Sequence, residues 1–236
     1  MDIIQNKALL LRARNPNVIL DTIPKSKAVG ENEVVVYWGI RESQVLKKLG
    51  FKNTPSPIKK EYKWNSKFKP FDHQIETSSF LTLHKKACCF NEQGTGKTAS
   101  VIWAADYLMS LGEVRRALII CPLSIMSSAW MDDLFSCAMH RTAAVCHGTR
   151  KKRQEIINSA AEFVVINYDG VEIVEDEIKK GAFDLIVVDE ANAYKNVSTK
   201  RWKVLNRLVQ PSTYLWMLTG TPASQSPVDA YGLAKL

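Results

Sequence analysis

The amino-acid sequence predicts an α/β fold, a mostly parallel sheet flanked by helices, preceded by a small N-terminal α+β unit. Three observations carry this. From about residue 70, six short apolar runs alternate with segments of helical character. Those runs are continuously apolar, the pattern of strands buried on both faces. Residues 1–69 break the pattern and hold the whole excess of positive charge.

Residues 1–68 read as a small basic module with a linker, and residues 69–236 as the larger domain. Within the module, β-like runs lie at residues 18–23 and 34–38. A helical stretch at 42–49 follows and is stopped by Gly50. Thr54-Pro55-Ser56-Pro57 then bars further helix. Lys and Arg outnumber Asp and Glu by 14 to 6 in residues 1–69, whereas residues 70–236 carry 18 of each. Eight lysines between Lys47 and Lys69 face one acid, Glu61, and are interleaved with Phe51, Tyr62, Trp64 and Phe68. Lysines neutralise phosphates and aromatics stack on bases, so the mixture suits nucleic acid; a solvated linker with anchoring aromatics has the same composition.

No apolar run reaches the roughly 18 residues of a membrane span, and the N-terminal stretch lacks a signal-peptide cleavage pattern. The five cysteines are odd in number, with Cys88 and Cys89 adjacent in an apolar run, as small buried hydrophobes are. The expectation is a soluble cytoplasmic or nuclear protein with no membrane partner. Cys137, His140, Cys146 and His147 have a faintly zinc-like spacing, but the chain holds no Cys-x-x-Cys, and Cys137 and His140 read instead as the end of a helix and Cys146 as the end of a strand.

In the larger domain the apolar runs fall at 86–90, 117–121, 142–146, 163–167, 185–189 and 214–219. Helical segments fall at 97–109, 126–137, 150–159, 171–179 and 199–209. Alternation of this kind implies βαβ units, whose ligands bind beyond the carboxyl ends of the strands. The chemistry-bearing residues lie at those ends. After the first run comes Asn91-Glu92-Gln93-Gly94-Thr95-Gly96-Lys97-Thr98, then a helix. Gly94 and Gly96 let the backbone around Gln93 and Thr95 turn its N–H groups onto phosphate oxygens at a helix N-terminus. Lys97 is placed for the β- and γ-phosphates, and the Thr98 hydroxyl for Mg2+. Asn91 replaces the first glycine of the general pattern. The fifth run ends in Asp189-Glu190. Beside a phosphate loop, Asp189 can hold Mg2+ through water, and Glu190 can take a proton from the attacking water.

Asp189-Glu190-Ala191-Asn192 resembles the acidic box of superfamily 2 helicases and translocases, and the sequence is most similar to their Swi/Snf-type ATPases. Further stretches match in order over roughly residues 68–236: Lys69-Pro70-Phe71-Asp72-His73-Gln74, Cys121-Pro122-Leu123-Ser124 with Trp130 and Asp133, His147-Gly148 with Arg150 to Arg153, Ile166-Asn167-Tyr168-Asp169, Lys195-Asn196, and Leu218-Thr219-Gly220-Thr221-Pro222. The resemblance implies a RecA-like P-loop domain that binds ATP and Mg2+. It implies that Phe71 and Gln74 read the adenine, and that Thr219, Gly220 and Thr221 couple hydrolysis to movement. It also implies that Leu123, Ser124, His147, Gly148, Asn167 and Tyr168 contact the nucleic-acid backbone. Asn192 and Ala223-Ser224-Gln225 depart from the family pattern, which bears on the subfamily and not on the ATP site.

Family motors hydrolyse ATP between two RecA-like domains, the second supplying arginines. The expectation is therefore the first motor half of an ATP-dependent DNA helicase or translocase. It would act on duplex, branched or single-stranded DNA and be weakly active without its second domain. An RNA helicase shares this half, and a non-motor P-loop module shares the phosphate loop. The Asp-Glu-Ala-Asn box and Lys195-Asn196 favour DNA by resemblance. A GTPase would need an Asn-Lys-x-Asp guanine reader, absent here.

Overall fold

A computed structural model describes residues 1–64, 67–221 and 227–236, without the side chains of 227–228. Pro222 and the Ala223, Ser224 and Gln225 departure lie outside the described residues. The chain forms two compact units, Met1–Lys63 with Thr82–His84, and Trp64–Leu81 with Lys85–Leu236.

The first unit contains β1 (Asp2–Ile4), β2 (Ala8–Arg12), α1 (Pro16–Thr22), β3 (Ser26–Ala28), β4 (Glu33–Tyr37), α2 (Ile40–Lys48) and α3 (Ile58–Glu61). Its strands form an antiparallel sheet in the order β1-β2-β4-β3. Leu9 and Leu11 pair with Val36 and Val34, and all four turn inward onto Ile19, Ile23 and Leu46. The β-like run at 18–23 is instead helical. Ile19 and Ile23 stand four apart, so a helix buries both on one face, Pro16 sits in its first turn, and Thr22 returns its hydroxyl to the Val18 carbonyl (2.6 Å). Helical spacing here overrides β propensity. Gly50, at φ +93°, ends α2 in the left-handed region where other residues are strained. Part of the lysine cluster is structural: Lys60 bonds the Asn6 carbonyl and lies over the Trp38 ring.

The second unit runs α4 (Asp72–Leu83), β5 (Lys86–Cys89), α5 (Lys97–Ser110), β6 (Ala117–Cys121), a 3₁₀ turn (Leu123–Ile125), a π-helical turn (Met126–Met131), α6 (Asp132–Cys137), β7 (Ala143–Cys146), α7 (Arg150–Ile157), β8 (Phe163–Asn167), α8 (Tyr168–Ile173), α9 (Glu175–Lys180), β9 (Leu185–Val188), a second 3₁₀ turn (Ala191–Tyr194), α10 (Lys200–Leu208), β10 (Tyr214–Leu218) and α11 (Pro227–Ala234). Six strands form one sheet in the order β5-β10-β9-β6-β8-β7, and every pairing is parallel. Strands β6, β9 and β10 are buried throughout. This is the predicted RecA-like sheet, with its loops leaving one carboxyl edge.

Several helical segments differ from expectation, among them α11, which the apolar pattern does not mark, and the first half of 126–137, which is π-helical. The stretch at 171–179 breaks into α8 and α9 at Val174, which leaves helical backbone (φ −123°) and is fully buried. Helix α4 is absent from the expected elements because its middle, Thr77-Ser78-Ser79, lacks apolar periodicity. Its hydroxyls are satisfied locally: Ser78 bonds the carbonyls of Gln74 and Ser100, each at 2.9 Å. At the opposite edge of the sheet, buried Asp106 accepts from Arg141 (2.6 Å), whose other arm reaches Glu162 (2.8 Å). Arg116 bonds the carbonyls of Ile157, Ala161 and Gly181.

Helix α11 lies tightly against the turn after the acidic box. A Cβ on Gly232 would stand 1.8 Å from the Lys195 carbonyl oxygen, and Trp202 donates its indole N–H to the Gly232 carbonyl (2.8 Å). Gly232→Ala is expected to push α11 outward and cost about 1–3 kcal/mol, lowering the thermal midpoint by about 2–4 °C for each kcal/mol. A melt unchanged from wild type contradicts this packing.

Candidate functional site

The loop between β5 and α5 is held by backbone chemistry. Gly94 (φ +77°) and Gly96 (φ +72°) both occupy the left-handed region. Gly96 has a second reason to lack a side chain, since a Cβ there would lie 2.0 Å from the Gln74 amide nitrogen. Gln74 is buried and uses both ends of its amide: its oxygen accepts from the Phe71 N–H (2.9 Å), and its nitrogen donates to the Thr95 carbonyl (3.3 Å). The His73 ring also meets that carbonyl (3.0 Å) and stacks on Phe71 (5.7 Å, 9°), whose ring is 68% exposed. Phe71 and Gln74, read as adenine contacts, thus sit at the phosphate loop with an open aromatic face beside it. Asn91 donates to Thr77 Oγ1 (2.9 Å), tying the loop to α4 at the position where the general pattern has glycine. Lys97 folds back onto the loop and donates to the carbonyls of Asn91 (2.9 Å) and Glu92 (2.7 Å). Thr98 follows in the first turn of α5, half-buried.

Asp189 directly follows β9 at 8% exposure. One carboxylate oxygen accepts from the Trp130 indole N–H, the other from the Glu190 N–H, each at 2.9 Å. Burial pushes this carboxyl above the ordinary aspartate range; the two hydrogen bonds and the charge of Lys97 pull it down without cancelling the rise. Glu190 stands half-buried in left-handed backbone (φ +46°), a strained conformation for a side chain other than glycine. Tyr168 clamps it, donating its hydroxyl to the Asp189 carbonyl (2.6 Å). Thr219 is fully buried. Its N–H donates to the Cys89 carbonyl and its hydroxyl accepts from the Thr221 N–H, both at 3.1 Å. Gly220 faces the phosphate loop, its Cβ position 3.4 Å from Gln93 Cγ and 3.7 Å from the Asn91 carbonyl.

The residues read as nucleic-acid contacts also leave the carboxyl edge. Leu123 (57% exposed) and Ser124 form the exposed turn after β6. His147 and Gly148 (φ +103°) are exposed after β7, and Asn167 ends β8. One residue to which the sequence assigns no role of its own organises them. Arg153, 5% exposed, donates to the carbonyls of Cys146 (2.6 Å) and Gly148 (3.0 Å) and to the Asn167 side chain (3.1 Å). The sequence signal was its place in the His147-Gly148 to Arg153 segment, which does not distinguish an inward arginine from its exposed neighbours. Tyr168 turns its hydroxyl to the acidic box. The basic face of α10 is largely ion-paired: Lys200 with Glu172, Arg201 with Asp169, Arg207 with Glu175. His140 bonds Asp106 (2.9 Å), and Cys146 lies 3.6 Å from the Arg153 carbonyl.

Comparison with known proteins identifies the family and the fold. Residues 55–236 match the family model described as SNF2-related domain. The sequence is 25% identical over 173 residues to an uncharacterized ATP-dependent helicase, YqhH, of Bacillus subtilis, covering 72% of this chain and 29% of that protein. It is also 25% identical over 179 residues to the ISWI chromatin-remodeling complex ATPase ISW1 of Saccharomyces cerevisiae, covering 72% and 15%. The fold is similar to the Sulfolobus solfataricus SWI2/SNF2 ATPase core solved in complex with dsDNA. There the TM-score is 0.62 at 26% identity, with 72% of this chain and 36% of that one covered. The chain thus spans well under half the length of these relatives.

Trp130→Phe removes one donor to Asp189 while keeping the aromatic volume. The carboxyl, already raised by burial, is expected to titrate at higher pH in the variant. NMR titration of the Asp189 carboxyl carbon measures this, and an unchanged or lower midpoint contradicts the balance described.

Proposed function

The chain belongs to the SNF2-related domain family, and on that premise we propose that it is the nucleotide-binding half of an ATP-dependent DNA translocase or helicase. The observation that carries the proposal is the convergence of Lys97, Asp189-Glu190 and Thr219-Gly220 on neighbouring strand ends of one parallel sheet. Support for DNA over RNA comes from the similar core solved with dsDNA.

The roles follow from chemistry. N–H groups of Gly94 to Lys97 cradle the phosphates at the start of α5. Lys97 is tethered to two carbonyls, neutral acceptors that an anionic phosphate outcompetes. The donor set fits Mg2+: the Asp189 carboxylate and the Thr98 hydroxyl are hard oxygens, and Mg2+ favours one or two carboxylates with retained water. When bound, the ion supplies charge neutralisation at the phosphates. Glu190 takes the proton of the attacking water, with Tyr168 holding its backbone in place. Phe71 stacks on the adenine and Gln74 meets its edge. Gly220, packed on Gln93, passes the state of the loop to Thr219 and Thr221.

Leu123, Ser124, His147, Gly148, Asn167 and Tyr168 form the backbone-contacting edge, with Arg153 holding the loops. Such contacts carry little sequence preference and depend steeply on salt. A second RecA-like domain supplies the arginines that complete the cleft, in keeping with the 36% of the solved ATPase core that this chain covers.

Two outcomes test the reading. Glu190→Gln is expected to retain Mg-ATP binding but lose at least about 10²-fold in hydrolysis when the second domain is present; equal hydrolysis by variant and wild type rejects its role as base. The chain alone is expected to hydrolyse ATP slowly even with saturating DNA, and robust DNA-stimulated turnover by it would sink the half-motor reading.

A further inference from the structure

The first unit contains a cavity of about 370 Å3 that the nucleotide site does not use, within the range of about 300–1,000 Å3 typical of small-molecule sites. It opens between the start of α1 and the turn after α2. Its apolar lining, the floor, includes Val18, Ile19, Leu49 and Phe51, and its polar lining, the rim, is Arg12, Arg14 and Asn15. Leu49 and Phe51 are half-buried and packed on the unit's core, so the floor is a fixed surface. Val18 is 45% exposed there. Gly50 lines the turn in left-handed backbone, and a Cβ on it would meet nothing, so the cavity is open at that side.

The rim is cationic and amide-bearing. Arg12 is 86% exposed and its partner Glu33 holds it only as a surface pair (2.9 Å), an interaction worth little in water. Asn15 stands at the N-cap of α1 but makes no side-chain cap bond there, which leaves its amide for other use. Among the described residues, none of those lining the cavity is acidic. Lys48 and Lys52 flank Leu49 and Phe51 in the chain, and residues 1–63 carry twelve Lys and Arg against six Asp and Glu.

We propose that this cavity receives one unpaired base of a DNA strand. The base lies on the apolar floor beside Phe51, Asn15 reads its donor–acceptor edge, and Arg12 and Arg14 take the flanking phosphates. A planar apolar group with an adjacent anion satisfies every part of the cavity at once: stacking on an aromatic side chain is available to any base, an amide matches a base edge, and guanidinium forks match phosphate. Bases held inside a duplex offer no such face. This site rests on the DNA reading and adds to it a preference for DNA with unpaired nucleotides, as at a branch, a gap or an end.

The test uses the full chain and fluorescence anisotropy with a labelled single-stranded oligonucleotide, the blunt duplex of the same sequence, and a single strand with its central nucleotides made abasic. Arg14→Glu is compared with Lys27→Glu, an equal charge change on β3 outside the cavity. Arg14→Glu is expected to weaken single-strand binding at least about tenfold, as the loss of phosphate contacts does, with a smaller effect on the duplex. Lys27→Glu is expected to change it about twofold or less. The abasic strand is expected to bind the wild type as weakly as the intact strand binds the Arg14 variant. Equal losses from both substitutions, or full affinity for the abasic strand, overturn the base pocket while leaving the DNA reading intact. No binding of any DNA by a chain that still binds Mg-ATP overturns both.

Discussion

Strand β10 is hydrogen-bonded to β5 on one side and to β9 on the other, so Thr219 leaves the sheet between the phosphate loop and the acidic pair. Its N–H bonds the last carbonyl of β5, and Gly220 behind it rests against Gln93. This requires the three strands to be held in register, with β10 and β9 buried throughout and β5 at the sheet edge. Leu218 pairs with Cys89 while Met217 pairs with Val188, and this puts Lys97, Asp189 and Thr219 at one edge. A Cβ at Gly220 would stand 3.4 Å from Gln93 Cγ and 3.7 Å from the Asn91 carbonyl oxygen, ordinary contact distances, so the segment after β10 touches the loop after β5 here. That contact is the physical route along which the proposed coupling would run.

Charge at that edge is held by opposing effects. Asp189 is buried enough to favour its protonated form, yet two N–H donors and the lysine opposite favour the carboxylate. Because its folded pKa is raised, the site contributes most stability below the ordinary aspartate value of about 3.9 and loses it as pH climbs through the folded value. A buried carboxyl raised in this way is a pattern common at functional centres. Lys97 is held in the same way, its ammonium parked on two neutral carbonyls. Both groups are partly satisfied and stand where charged partners would satisfy them further.

Much of the larger domain was legible because buried parallel strands leave a blunt signal: five-residue apolar runs such as Ala117–Cys121 and Phe163–Asn167 coincide with their strands. The phosphate loop and acidic pair were legible because glycine, lysine and paired carboxylates at strand ends have no packing reason to be there. Helix α4 was not, since its hydroxyls satisfy themselves and hide the helical period. Residues 18–23 misled because Val and Ile favour strands while their spacing favours a helix. Trp130 was picked out only by family pattern; that its indole would hold Asp189 depends on a contact across 59 positions. Arg153 was hidden for the same reason, as a buried arginine and an exposed one look alike in sequence.

Titration calorimetry of Mg-ATP with the wild-type chain and with Lys97→Ala tests the central claim most directly. The account predicts measurable binding by the wild type, lost in the variant while its fold is retained. Equal binding by the two would mean that the loop between β5 and α5 does not hold the phosphates, and the reading of this chain as half of a motor would fall with it.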